Sequence, residues 1–163
     1  FGHADGKFHF KPDWARIGPD HARLPAFPDF CDIIDEPDHD RPFRLVAAPA
    51  RNYLNSSFTE TPTSKAKEGR PTILLHPEDC RDLGVNDGDR VRIGNAKGSL
   101  VIHARPFAGL QRGVVVVESI WPNRAFEEGI GINALISADP GLPNGGAAFH
   151  DTAIWIRQAE ARV

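Results

Sequence analysis

Methionine is absent from the 163-residue chain, tyrosine occurs once and cysteine twice. With no methionine and Phe1 in front, the sequence shows no translation start, so it reads as a trimmed chain or as a piece of a longer protein. The two cysteines, Cys31 and Cys80, form no Cys-x-x-Cys pair and no Cys/His constellation. That spacing excludes a disulfide framework, a zinc site and an iron–sulfur array. Cys31 could in principle ligate a metal as a thiolate, but a small hydrophobe is the expected role. No apolar run approaches the roughly 20 residues of a membrane helix, and no secretory apolar segment leads the chain. No membrane partner is expected, and the expected location is the cytoplasm. Positive charge is not in excess either. With 19 basic and 22 acidic side chains the net charge is -3, which argues against a nucleic-acid partner. No nucleophile motif and no Walker loop is present, so no catalytic residues are expected.

What is present suits one folded domain with a sizeable core and a tail: 40% hydrophobic and 25% charged residues. The charge is uneven. Residues 1–41 carry 9 acidic and 5 basic side chains, and residues 42–163 carry 13 and 14. Pro12, Pro19, Pro25, Pro28 and Pro37 interrupt regular structure in the first segment. Residues 1–41 therefore read as a connecting arm, with a short strand at Phe8–Phe10 and with Phe27, Phe30, Ile33 and Ile34 able to dock on a neighbour. Residues 42–163 read as the folded domain. Strands are expected at Arg44–Ala48, Thr72–Leu75, Arg90–Gly94, Ser99–Ala104, Val114–Ile120 and Thr152–Ile156. Residues 50–70 read as a polar loop. The consecutive valines of Val114–Val117 suggest a strand buried on both faces. Pro77, Glu78, Asp79 and the stop at Gly84 delimit a short helix. Asn95-Ala96-Lys97-Gly98 reads as a hairpin, Asp87-Gly88-Asp89 as turn geometry, and residues 121–150 as largely irregular. Six short strands with one or two helices suggest a small closed barrel.

From Leu75 to Pro122, LHPEDCRDLGVNDGDRVRIGNAKGSLVIHARPFAGLQRGVVVVESIWP resembles the C-terminal molybdopterin-dinucleotide-binding domain of the DMSO-reductase-type molybdopterin oxidoreductases, the group that includes formate dehydrogenases and nitrate reductases. Arg41–Ser57, RPFRLVAAPARNYLNSS, resembles that family's first barrel strand and the loop after it. Gly131–Ile156 resembles its closing segment. FGHADGKFHF is similar to the element before the domain, with His3-Ala4 in place of Thr-Pro. The resemblance implies a mainly β fold with short helices, a double-psi β-barrel of the aspartate-decarboxylase-like type. It also implies a molybdopterin guanine dinucleotide ligand, in a bis(MGD) centre of molybdenum or tungsten, with the preceding domains of the same polypeptide as partners. The metal ligand would lie in those domains, so this fragment alone is not expected to turn over substrate.

The candidate cofactor-binding residues follow. In the loop ARNYLNSS, Arg51 can pair a phosphate in bidentate fashion, while Asn52, Asn55, Ser56 and Ser57 can donate to phosphate, ribose or pterin edges. The plainer reading is a solvated turn-forming loop. The resemblance assigns Asn133 to the pterin or its dinucleotide and brings Trp121 and Pro122 toward the cofactor. Trp121 could equally be core, and Asn133 could support a local turn. Gly145, Gly146 and Ala147 lack bulk and would allow close backbone approach. His150 stands where many relatives carry lysine, which puts a charge-pairing role there in doubt and leaves a hydrogen-bonding one. Two rivals stay open. One is the same barrel as a protein-interaction or structural module, which would show an exposed apolar patch. The other is a self-cleaving pyruvoyl enzyme, which would need cleavage at Gly98-Ser99.

Overall fold

The computed structural model describes residues 1–17, 21, 24–27, 29, 35–118, 121–138, 140–141, 146–147, 149 and 152–160. The chain forms two units: Phe1–Ile33 with Ala138–Ala148, and Ile34–Ser137 with Phe149–Val163. In the first, Phe8 and Phe10 do not form the expected strand. Their rings pack edge to face at 4.9 Å, and Phe8 meets Phe1 in the same way at 5.4 Å. A short 3-10 turn forms at Trp14–Arg16. Here too β6 (Pro140–Gly141) pairs antiparallel with β7 (Gly146–Ala147).

The second unit is a barrel. Its elements are β1 (Phe43–Ala48), α1 (Pro62–Glu68), β2 (Thr72–Leu75), α2 (Pro77–Leu83), β3 (Arg90–Gly94), β4 (Ser99–Pro106), β5 (Val114–Glu118) and β8 (Thr152–Gln158). The six strands close in the order β1-β5-β2-β4-β3-β8. β1 and β5 are parallel, as are β2 and β4, and the other neighbours are antiparallel. This is the double-psi β-barrel, two interlocked parallel pairs closed by antiparallel neighbours. Residues 35–41 pack with it rather than with the arm. Asp35 approaches Lys97 at 3.5 Å, Glu36 accepts from Arg44 at 2.6 Å, and Asp38 caps the backbone of Arg41 at 2.7 Å.

Period-two alternation fills the interior. Leu45, Ile73, Leu75, Val91, Ile93, Leu100, Ile102, Val115, Val117 and Ile154 are buried, each contributing roughly 1.5–3 kcal/mol relative to exposure. β5 departs from its expected form: Val115 and Val117 are buried but Val114 and Val116 are only half-buried. A barrel strand has one inward face, and four valines in a row cannot all use it. The described part of β5 ends at Glu118.

α2 forms as its punctuation requires. His76 Nδ1 accepts from the Glu78 amide at 3.2 Å, and Gly84 ends the helix in the left-handed region at φ 66°. α1 lies inside the stretch expected to be loop, started by Thr61-Pro62 and stopped by Gly69.

The register defines one rim. Ala48 lies beside Glu118, Ile73 beside Val117, Thr72 beside His103, and Gly94 beside both Ser99 and Trp155. The C-terminal ends of β1, β5 and β3 therefore share an end of the barrel with the N-terminal ends of β2, β4 and β8. Three connections leave there: 49–71, 95–98 and 119–151. The opposite end carries α2 with its turn and the short 107–113 connection.

Candidate cofactor-binding rim

The connection after β1 begins inward. Ala50 and Tyr53 are buried, whereas Arg51, Leu54, Asn55, Ser56, Ser57 and Phe58 are exposed. Leu54 and Ser57 exchange backbone hydrogen bonds of 3.2 and 2.8 Å around a tight turn, with Asn55 at φ 51°. Asn tolerates that left-handed conformation, but Phe58, at φ 66°, does not do so readily. The Thr59 hydroxyl closes the next turn on the Ser56 carbonyl at 3.3 Å.

The expected residues divide by what they do. The Asn52 backbone N–H and its side-chain amide both donate to Glu68 Oε1, at 2.6 and 2.8 Å, so Asn52 fastens the loop to α1 and its NH₂ is engaged internally. The side chains of Arg51, Asn55, Ser56 and Ser57 form no hydrogen bond or ion pair with a described residue. Trp121 is 7% exposed and donates from Nε1 to the Glu118 carbonyl at 3.2 Å. Its ring meets the Tyr53 ring, so it serves the core and the rim together. Pro122 is half-buried beside it. Asn133 is exposed on a single turn, Ile132–Leu135. That turn is tied to the β3–β4 hairpin by Asn95 Nδ2, which donates to the Leu135 carbonyl at 2.8 Å. Arg51–Ser57, Trp121, Pro122 and Asn133 thus all leave the same end of the barrel. Ala147 belongs to the other unit, exposed in β7 beside Gly146. His150, Gly145 and Cys31 lie outside the described residues.

Sequence reasoning overlooked a cleft of about 280 Å³ next to Trp121, lined among others by Thr59, Lys65, Arg70, Trp121, Pro122 and Arg124. The Thr61-Pro62 helix start and the Gly69 stop were the available signal for α1, which delivers Lys65. Glu60 lines the same cleft. It accepts a hydrogen bond from Arg124 Nη2 and lies 3.8 Å from Lys65 Nζ. Arg124 holds its carboxyl below the usual carboxylate range.

Other motifs are accounted for structurally. Asp89 Oδ2 accepts from the backbone and side chain of Asn86, at 2.7 and 3.2 Å, and the Gly88 N–H donates to the Ala104 carbonyl at 2.8 Å with φ 83°. Gly98 sits in an ordinary hairpin, its carbonyl accepting from the Asn95 N–H at 3.0 Å. Burial pushes the Cys80 thiol up, away from reactivity.

Comparison with known proteins agrees in extent with the barrel. A family profile described as "Molydopterin dinucleotide binding domain" matches residues 43–153, from the start of β1 into β8. The chain is 28% identical over 135 residues to the probable oxidoreductase YoaE of Bacillus subtilis (strain 168), covering 83% of this chain and 19% of that protein. It is 30% identical over 118 residues to a putative dimethyl sulfoxide reductase catalytic chain of Halobacterium salinarum, covering 72% of this chain and 14% of that one. The solved structure of acetylene hydratase from Pelobacter acetylenicus superposes with a TM-score of 0.62 at 16% identity, over 73% of this chain and 18% of that chain. That last likeness is one of fold. The chain spans less than a fifth of each of these proteins.

Proposed function

The chain belongs to the molydopterin dinucleotide-binding domain family, and from that premise we propose that its loop-bearing rim holds a pterin guanine dinucleotide within a larger molybdenum or tungsten oxidoreductase. One observation carries the reading. The side chains of Arg51, Ser56, Ser57, Asn55 and Asn133 (a cation, two hydroxyls and two amides) stand exposed with no hydrogen-bond partner among the described residues, at the barrel end that also carries the buried Trp121 and half-buried Pro122.

The donor set fits the group. A dinucleotide offers phosphate oxygens for Arg51 and the hydroxyls, and pterin and guanine edges that alternate donors and acceptors, as side-chain amides do. Asn52 works indirectly, holding the loop against Glu68. When bound, the cofactor supplies a metal centre for two-electron redox chemistry, and this chain supplies binding and orientation. The exposed Leu54 and Phe58, 65% and 59% accessible, border the same turn. In this reading they meet the other domains of the longer protein, which carry the metal's ligand and the substrate pocket.

The test is an NMR titration of the 163-residue chain with guanosine monophosphate. Shifts are expected at Arg51–Ser57, at the Trp121 indole and at Asn133, and should weaken in Arg51→Ala and Ser56→Ala variants whose melting temperature is unchanged. Shifts confined to the 76–89 and 107–113 end of the barrel would reverse the assignment.

A further inference from the structure

Asn55 and Ser56 are the two central residues of the tight turn across which Leu54 and Ser57 exchange backbone hydrogen bonds. Asn55 has a φ of 51°, and Ser56 is not among the residues of positive φ. A two-residue turn with positive φ at its first central position alone is type II′. That class is the mirror image of type II, so ψ at its first central residue is about −120°. A backbone turned in this way brings the next residue's amide nitrogen against the γ-carbon of an asparagine side chain. A five-membered ring closed between those two atoms requires much the same ψ. Both groups are free to react. The Asn55 side chain is exposed, and neither its amide nor the Ser56 backbone N–H makes a hydrogen bond with a described residue. Ser56 is small and leaves the approach open.

The other described asparagines are held differently. The side-chain amides of Asn52, Asn86 and Asn95 donate to Glu68, to Asp89 and to the Leu135 carbonyl. Asn123 and Asn133 lie in 3-10 turns, whose ψ turns the following nitrogen away from the side chain.

We propose that Asn55 is a site of spontaneous deamidation, poised by the turn that holds it. Solvent base removes the Ser56 N–H proton, and the nitrogen attacks Asn55 Cγ. The new C–N bond forms as the bond from Cγ to the side-chain nitrogen breaks, and that nitrogen takes up a proton and leaves as ammonia. Water then opens the succinimide. Opening at the side-chain carbonyl gives aspartate, and opening at the main-chain carbonyl gives isoaspartate. In sum an amide and a water become a carboxylic acid and ammonia, with no oxidant or reductant. The acid is ionised at neutral pH, so one added negative charge takes the net charge from -3 to -4. Isoaspartate also adds a methylene to the main chain inside the turn, which breaks the 3.2 and 2.8 Å pair between Leu54 and Ser57. The chemistry stands whether or not the rim takes a dinucleotide. In the proposed reading its product puts a carboxylate in the same loop as Arg51.

Peptide mapping by mass spectrometry tests this on the 163-residue chain, kept warm at neutral and at alkaline pH, both native and unfolded in urea. Folding ordinarily slows deamidation by fixing the backbone away from the ring geometry. Here the native chain should lose the Asn55 amide at least as fast as the unfolded chain. The loss should quicken as the pH rises and leave a mixture of aspartate and isoaspartate. Asn52, Asn86, Asn95, Asn123 and Asn133 should each convert more slowly in the native chain than in urea. Fragment ions keep Asn55 apart from Asn52 and from Asn144, which precedes Gly145. Asn55→Gln, whose longer side chain would have to close a six-membered ring, should abolish the isoaspartate signal at this position. If the native chain keeps its Asn55 amide while the unfolded chain loses it, the turn protects the site and the proposal is overturned. Retention of the Asn55 amide in both states overturns it as well.

Discussion

The ring of Tyr53 meets that of Trp121 edge to face, with centroids 5.0 Å apart and planes at 81°. This pair joins the connection after β1 to the one after β5, and so ties together the two longest excursions from the rim. Tyr53 is 6% exposed, and its hydroxyl has no hydrogen-bond partner among the described residues. Burial pushes its phenol up, with Glu68 and Glu60 adding to the effect. A buried hydroxyl left unpaired costs roughly 1–3 kcal/mol. Tyr53→Phe keeps the ring contact and removes the cost, so the free chain should melt at the same temperature or a few degrees higher. Tyr53→Ala removes the contact itself and should destabilise by about 3–5 kcal/mol. Thermal unfolding of both variants is the measurement. A clear drop for Tyr53→Phe would mean the hydroxyl has a partner in solution.

Gly94 is required where β3 turns into its hairpin. A Cβ there would run into the Trp155 ring and come within 2.9 Å of both the Gly98 carbonyl and the Ser99 Cβ. Backbone and a packed indole cannot yield cheaply. Gly94→Ala should therefore cost about 1–3 kcal/mol through overpacking, read as a lower urea midpoint with an unchanged slope. Gly129→Ala is the control for space alone, since nothing lies within 4 Å of its Cβ. Its φ of 67° still strains an alanine, so it should lose about 1 kcal/mol.

The barrel could be read from the sequence because its signals are local: alternation along each strand, Pro77 and Gly84 around α2, and Asn95–Gly98 at the hairpin. The rim could be read only in part. Arg51 and Ser56 stand in a loop whose polarity marks it, but the rim itself is set by parallel pairing of β1 with β5 and β2 with β4, which leaves no local trace. Lys65 and Arg124 are ordinary surface cations one at a time. Only the crossing of chain segments far apart in sequence brings both of them to Glu60. α1 was overlooked because seven residues of mixed polarity, PTSKAKE, show no apolar stripe. Its cap signals outweigh its composition.

The end of the barrel away from the rim is pinned by Asp79, 4% exposed. Its carboxylate accepts from Arg112 Nε at 3.0 Å and from the Gly113 N–H at 2.8 Å, clamping α2 to the turn before β5. Asp79→Ala strands a partly buried N–H and should cost about 2 kcal/mol or more. Asp79→Asn keeps one acceptor and should cost less. Because the clamp lies at the other end, both variants should keep nucleotide binding at 25 °C. Loss of binding in a folded Asp79→Asn variant would contradict the placement of the site.

Acid should weaken the fold in two separable windows. His103 faces Glu127 at 3.2 Å across the outer surface of β3 and β4. Burial first, then Arg70 and Arg90, push its imidazole below the ordinary value of 6.5, and Glu127 opposes them without prevailing. The unfolded chain therefore takes up this proton at a higher pH than the folded chain. Stability is complete above about 6.5 and falls as the pH drops from there toward the folded value. Glu128 acts lower. Hydrogen bonding to Arg92, 2.5 Å away, holds its carboxyl below 4.5, so its contribution is present above about 4.5 and is lost as the pH falls through the folded value. Glu127 and Glu128 fasten the segment after Trp121 to Arg90 and Arg92 of β3. Acid should therefore loosen that segment first. His103→Gln should flatten the pH dependence of the urea midpoint below 6.5 and leave the lower step, whereas Arg92→Gln should shrink the lower step and leave the upper one. If His103→Gln retains the full upper slope, another group carries that proton.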